Sequence, residues 1–263
     1  IRDYLIYVLL ATVCDVMPLR KLNRSISINA IKEFDIDKNF AFKELYNLNN
    51  KKKKINIDDL GYLIGPILNS GGRLGKSSYA TELLSSNNIK ILNKRSTELI
   101  LLNDKRKTIE MKILDEIDFN KIEKDNKNII IYYCETINEG LIGIIAARLK
   151  EHFNKPAIVI TNSNTILKAS ARSVPGYNIG RVVKIALDKN IIIGGGGHNM
   201  AAGFTLNKNN LKNLEDFVLK DYSDKYFTNI NSFNYDSEIS AMAFNMDFFN
   251  DIKKLQPFGN GNP

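Results

Sequence analysis

From Lys90 to Ile117 apolar residues recur at helical spacing (Leu99, Leu102, Ile109, Ile113 and Ile117), with Lys, Arg and Glu between them. That period predicts one amphipathic helix of about seven turns. It divides the chain into two stretches of different grammar. Ahead of it, residues 1–13 carry a helix-like apolar pattern that Pro18 ends, and "GYLIGPILNSGGRLGKSS" (61–78) is rich in glycine before a short helix, "YATELLSS". Behind it, strand-like and helix-like runs alternate. "NIIIYYC" (128–134), "PAIVIT" (156–161), "LKASARSV" (167–174) and "AAGFTL" (201–206) read as strands, and "GLIGIIAARLKEHF" (140–153), "NIGRVVKIALDKN" (178–190) and "NNLKNLEDFVLKDYSDKY" as helices. Apolar strands interleaved with helices require a sheet covered on at least one face, so the expected class is α/β, with the long helix as connector. From about residue 227 the pattern shortens, which suggests the start of a third unit.

At 263 residues and 44% hydrophobic the chain has ample material for a core, in one large domain or two ordinary ones. Lys and Arg outnumber Asp and Glu by 37 to 29, a net charge of +8, which favours a polyanionic partner such as nucleic acid. Richness in Asn, Lys and Ile offers a compositional account of part of that excess. "NLNNKKKKINIDD" (47–59) reads as a solvated loop tip before a DNA-binding patch. Cys14 and Cys134 cannot build a disulfide framework, so a reducing cytoplasm is expected. No apolar run reaches the length of a membrane span, and no signal peptide is visible. The first residues are already helical and apolar with no initiator Met, and the last, "LQPFGNGNP", stop within a turn; both ends read as cuts through a longer protein.

Four places suit chemistry. Asp15, in "TVCDVMPL", is a carboxylate among apolar residues, which is costly unless paired or metal-bound; a helix-end polar contact is the alternative. "LNSGGRLG" (68–75) sets Asn69 and Arg73 around two glycines, as an ordinary turn or as a loop that lets a phosphate approach. "SARSVPG" (170–176) lies between a strand and a helix, where Ser170, Arg172 and Ser173 could meet a phosphate. "GGGGHNMAAG" puts His198 after four glycines, a backbone able to form an anion-binding nest with the histidine as donor. His152, in "KEHFNKP", reads as an exposed helix-end residue. No H-E-x-x-H, paired-cysteine zinc spacing, P-loop or G-x-S-x-G is present, and a dinucleotide-binding G-x-G-x-x-G is not supported.

The ordered set "ATVCDVMPL", "IGPILNSGGRLG", "LLNDKRKTIE", "NEGLIGIIAARLKEHFNKPAIVI", "SARSVPGYNIG", "GGGGHNMAAGF" and "LQPFGNGNP" resembles the RecJ family of single-strand-specific DNA exonucleases, in the DHH phosphoesterase superfamily. The glycine–histidine segment alone is shared with other DHH-associated domains, including one at the end of alanyl-tRNA synthetases; the order and the final motif are more specific. The resemblance implies the C-terminal part of a DHH catalytic domain over 1–89, a connector helix over 90–118, a DHH-associated substrate-binding domain over 119–226, and the start of an OB-fold over 227–263.

It also implies 5′→3′ hydrolysis of single-stranded DNA at a two-ion Mn²⁺ or Mg²⁺ site, in DNA repair and recombination. Asp15 matches the family's last metal-binding aspartate, and Asn69 and Arg73 the loop beside it. Ser170, Arg172, Gly196, Gly197 and His198 match residues that face the substrate. A cytoplasmic monomer that meets single-strand-binding protein or a helicase is the accompanying expectation. Two departures matter. The Asp-His-His signature and the upstream aspartates are not in this sequence, so the chain by itself is expected to be inactive. Ile137 and Asn138 stand where the family commonly has Trp-His. The rival readings are a DHH phosphodiesterase of short oligonucleotides or cyclic dinucleotides, and a non-catalytic nucleic-acid-binding module.

Overall fold

The computed structural model describes residues 2–51, 54–225, 235 and 237–262, and the chain separates into two compact units. One comprises residues 1–105 with 232–263, the other residues 106–231. Among the described residues no helix is long and apolar enough to cross a membrane.

The first unit is helical. Helix α1 (Leu5–Cys14) buries Ile6, Leu9 and Leu10 and lies against α2 (Lys21–Glu33). Helix α3 (Phe40–Leu48), capped by the Asn39 side chain on the Phe42 N–H, adds Phe42, Leu45 and Tyr46 to the same core. A π-helical stretch (Asp59–Ile64) runs directly into α4 (Gly65–Arg73), then α5 (Ser78–Ser85). "LNSGGRLG", expected as a turn or a phosphate-admitting loop, is therefore mostly helix. Of its glycines, Gly71 is the one that packing requires. A Cβ on Gly71 would stand 2.6 Å from the Lys76 carbonyl oxygen and 3.1 Å from Leu99 Cδ2. Close contact on that side offsets the roughly 1 kcal/mol that glycine costs in a helix.

The predicted long helix is α6 (Ile89–Glu116), and the boundary between the units falls within it. In the second unit α7 (Phe119–Asp125) ends on Asn126 in a left-handed conformation, φ 45°. The strands β1 (Ile130–Tyr133), β2 (Ala157–Ser163), β3 (Ile166–Arg172), β4 (Gly194–His198) and β5 (Ala201–Leu206) form one mixed sheet in the order β1-β2-β3-β5-β4. Only β1 and β2 run parallel.

Each sheet face has its own core. Helix α8 (Ile142–Phe153) packs Ile142, Ile145, Ala146 and Leu149 with Ile130, Ala157 and Val159. Helices α9 (Ile179–Asp188) and α10 (Leu211–Lys225) pack on the other face with Ile158, Ala169, Ala171, Ala202 and Phe204. Period-two alternation along β3 assigns its residues to these faces. Glu110 on α6 is nearly buried and takes Arg106 at 2.7 Å and Arg148 of α8 at 2.8 Å.

The segment expected to open an OB-fold lies partly outside the described residues. What is described carries helix α11 (Met246–Lys253) and a tight turn closed by the reciprocal Gly259–Asn262 bridge. Both belong to the first unit.

Candidate functional site

The registers across β3, β5 and β4 build a surface in the second unit. Ser170 pairs with Gly203, and Gly203 with Gly196; one row along, Arg172 pairs with Ala201, and Ala201 with His198. Directly paired residues of an antiparallel ladder share a face, and so do residues two apart on a strand. Ser170, Arg172, Gly196 and His198 therefore stand on one face, with Gly203 and Ala201 as a floor of small residues between. With strands ~4.8 Å apart, the Arg172 and His198 backbones lie about 10 Å from each other.

Helix α8 borders this floor. A Cβ on Gly143, near its start, would come 3.0 Å from Arg172 Nη2 and 3.2 Å from Ser170 Oγ, so a side chain there would crowd both. Arg172 Nη1 donates to Ser170 Oγ at 3.1 Å and to the Ala171 carbonyl oxygen at 2.9 Å. Among the described residues it forms no salt bridge. Burial pulls its pKa below the ordinary guanidinium value, although an arginine stays charged. The cation also sits at the positive end of a helix dipole, where an anion is favoured. A phosphate placed here would meet both.

The nest expected of the four glycines is not what forms. Gly194–Gly197 carry no positive φ; they are the edge strand β4, paired along its length with β5. The two glycines expected to face a substrate also divide. Gly197 turns to the core face, where a Cβ would stand 2.3 Å from the Ala201 carbonyl oxygen and 2.6 Å from Ala202 Cα. Gly196 turns to the floor, where a Cβ would meet nothing within 4 Å. Packing explains the first glycine and not the second. His198 is exposed, and its Nδ1 accepts the Met200 N–H at 3.3 Å, which leaves Nε2 as the donor of the neutral ring.

Ser173 does not join this face. It is 1% exposed and its Oγ donates to the Tyr177 carbonyl oxygen at 2.6 Å, so the hydroxyl serves the turn into α9. That turn and the histidine hairpin are tied together, since Ser173 N–H donates to the Met200 carbonyl oxygen and Ile179 N–H to that of Asn199. Behind them Asp221 of α10, nearly buried, takes Arg181 at 2.6 Å and the Tyr177 hydroxyl at 3.3 Å. Asn138 turns its side chain onto the Gly140 N–H at 2.8 Å, while Ile137 is buried beside α8. His152 is exposed at the end of α8, with Phe119 and Phe153 edge-on to its ring.

In the first unit, Asp15 is exposed at the C-terminal end of α1, where the helix dipole disfavours a carboxylate. No cation pairs with it among the described residues. Burial, and then the charge of Asp15, push the Cys14 thiol pKa up. The next residue, Val16, has φ 54°, left-handed backbone that costs a β-branched residue about 1–2 kcal/mol. Helix α4 approaches here. A Cβ on Gly65 would stand 2.5 Å from Cys14 Sγ, and Asn69 and Arg73 follow at four-residue steps on the same helix face.

One carboxylate suits one position around Mn²⁺ or Mg²⁺, both hard ions that take oxygen ligands. The described residues hold no group of three His, Cys, Asp or Glu side chains able to bind a metal. Gly143, Gly203 and Val16 were not singled out by the sequence. The first two left a signal, as glycines inside a helix and a strand that no turn accounts for; Val16 left none.

Residues 126–224 match the DHHA1 domain family. The single-stranded-DNA-specific exonuclease RecJ of Haemophilus influenzae is 29% identical over 99% of this chain and 48% of its own length. That of Escherichia coli is 32% identical over 81% of this chain and 38% of its own. The chain thus spans less than half of these relatives. The structure of RecJ from Thermus thermophilus in complex with Mn²⁺ superposes with a TM-score of 0.85 at 21% identity, covering 100% of this chain and 39% of that one. The fold is that of this RecJ region, residues 126–224 match the DHHA1 domain, and the chain is similar to RecJ single-stranded-DNA-specific exonucleases over nearly its whole length.

Proposed function

We propose that this chain supplies the strand-gripping surface, and one carboxylate of the metal site, of a single-stranded-DNA exonuclease that works from the 5′ end. The observation that carries the reading is Arg172, a partly buried cation at the end of β3 with no carboxylate partner among the described residues, close to the start of α8 and beside a floor of glycine and alanine. Its fork would hold one phosphate with Ser170, and His198 Nε2 would donate to another. Gly196 and Gly203 would let the sugar–phosphate backbone lie close to the sheet. All these contacts address the backbone, so the grip reads no base sequence.

Asn69 and Arg73 would stand beside Asp15 and contact a phosphate there. Mn²⁺ or Mg²⁺, when bound, would activate water and neutralise the phosphodiester. The two-ion count, the 5′→3′ direction, the role in repair and recombination, and encounters with single-strand-binding protein or a helicase rest on likeness to RecJ and stand as parts of the proposal.

Two assays test it. This chain should bind labelled single-stranded oligonucleotides in anisotropy titrations with little base preference and with affinity that falls as salt rises. The full-length polypeptide should degrade 5′-phosphorylated single strands with Mn²⁺, and Asp15→Ala should abolish this. Undiminished degradation by Asp15→Ala refutes the carboxylate's role. Cleavage of dinucleotides with long strands untouched replaces the exonuclease by an oligonucleotide phosphodiesterase.

A further inference from the structure

The turn at the C-terminal end of the described chain closes on the segment that follows Asp15. The Asn260 side-chain amide donates to the Val16 carbonyl oxygen, and the Asn260 carbonyl oxygen accepts the Leu19 N–H at 2.7 Å. Arg20 Nε donates to the Gly261 carbonyl oxygen, and Arg24 Nη2 to that of Leu255. Two glycines make the fit possible. A Cβ on Gly259 would stand 2.6 Å from Leu19 Cδ1, and one on Gly261, at φ 72°, 3.2 Å from Pro18 Cβ. The turn is held in shape by Asn262, whose amide donates to the Pro257 carbonyl oxygen at 2.9 Å.

Val16 is the left-handed residue, and its own amide reaches back to the Val13 carbonyl oxygen at 3.0 Å, with Met17 N–H on that of Thr12 at 2.9 Å. A β-branched residue keeps such a backbone only where its surroundings over-determine it. The two local bonds hold the amides of this turn, and Asn260 holds its carbonyl. Relaxing Val16 toward the extended region would swing the peptide that follows Asp15.

We infer that Asn260 is a positioning residue: by gripping the Val16 carbonyl it locks the strained turn that aims the Asp15 carboxylate. This rests on the reading of Asp15 as a metal ligand. An amide is suited to the task because it donates to a carbonyl oxygen, whereas an ionised carboxylate of the same shape cannot.

Asn260→Asp in the full-length polypeptide tests it. Loss of one neutral hydrogen bond corresponds to about a fivefold rise in local opening. Hydrogen exchange at the Val16 and Met17 amides should quicken by about that factor. The Mn²⁺ concentration for half-maximal activity should rise and kcat should fall, with KM for DNA unchanged. Unchanged exchange overturns the inference, as does faster exchange with kcat and Mn²⁺ dependence intact, or an effect confined to KM. Full Mn²⁺-dependent activity in Asp15→Asn sinks the reading of Asp15 instead, and the exchange rates still decide whether Asn260 locks the turn.

Discussion

Gly196 and Gly197 are neighbours in one strand, yet alanine should affect them in opposite ways. At Gly197 the new methyl would sit 2.3 Å from the Ala201 carbonyl oxygen and 2.6 Å from Ala202 Cα, and β5 cannot retreat because β3 holds its other edge. Overpacking of this kind costs about 1–3 kcal/mol. In a unit of this size that lowers the Tm by roughly 4–12 °C. At Gly196 the methyl would enter open space, and alanine in a strand is about 0.5–1 kcal/mol better than glycine, so Gly196→Ala should melt no lower than the parent. Its damage would be to the ligand, because the methyl lifts a phosphate off the strand. Losing one charge-assisted hydrogen bond, about 1.5–3 kcal/mol, weakens binding by roughly ten- to a hundredfold. Thermal melting and anisotropy with a labelled oligonucleotide read the two effects separately. A Gly196→Ala chain that binds DNA as tightly as the parent would refute the floor as a DNA-contacting surface.

Replacing Arg172 by Gln removes a desolvated cation, so stability should hold or rise while single-strand affinity falls and the salt slope drops by about one. Calorimetry and salt-titrated binding check this. Asp221→Asn weakens the hold on Arg181 and loosens the turn that carries Ser173 and Tyr177; with Asp221 nearly buried and Arg181 a third exposed, the loss is about 1.5–3 kcal/mol, visible as a lower Cm in urea. Glu215 should make the second unit acid-sensitive. Hydrogen bonding to Lys127 holds its carboxyl below the ordinary value of 4.5 in the folded chain. The stabilisation is therefore complete above about pH 4.5 and lost as the pH falls through the depressed folded value. Glu215→Gln should flatten that limb of the Tm–pH curve.

Elements governed by local period were legible in the sequence. The connector helix and the strands at Ile130, Ala157 and Ala201 fall within a few residues of their expected bounds, because apolar spacing alone sets them. Glycine-rich segments were not, because glycine has almost no preference of its own and yields to its neighbours. "LNSGGR" became helix where Gly71 could touch Leu99, and "GGGGH" became an edge strand where Gly197 could slide against Ala202. Ser170, Arg172, Gly196 and His198 were named from sequence, but their shared face depends on register across three strands, which no single segment contains. Ser173 was misplaced because a serine beside a functional arginine looks the same whether it points out or in; its burial is decided by the Tyr177 carbonyl. The grip of Asn260 on Val16 spans 244 residues and leaves no local pattern at all.

A direct footprint would decide where the strand lies. Amide hydrogen exchange of this chain, with and without a saturating 5′-phosphorylated single-stranded oligonucleotide, should show protection at residues 170–172, at the start of α8 and along 194–203. The α9 and α10 face should stay unchanged. Protection on that helical face, or protection that spares β4 and Arg172, would contradict the assignment of this sheet face as the strand grip.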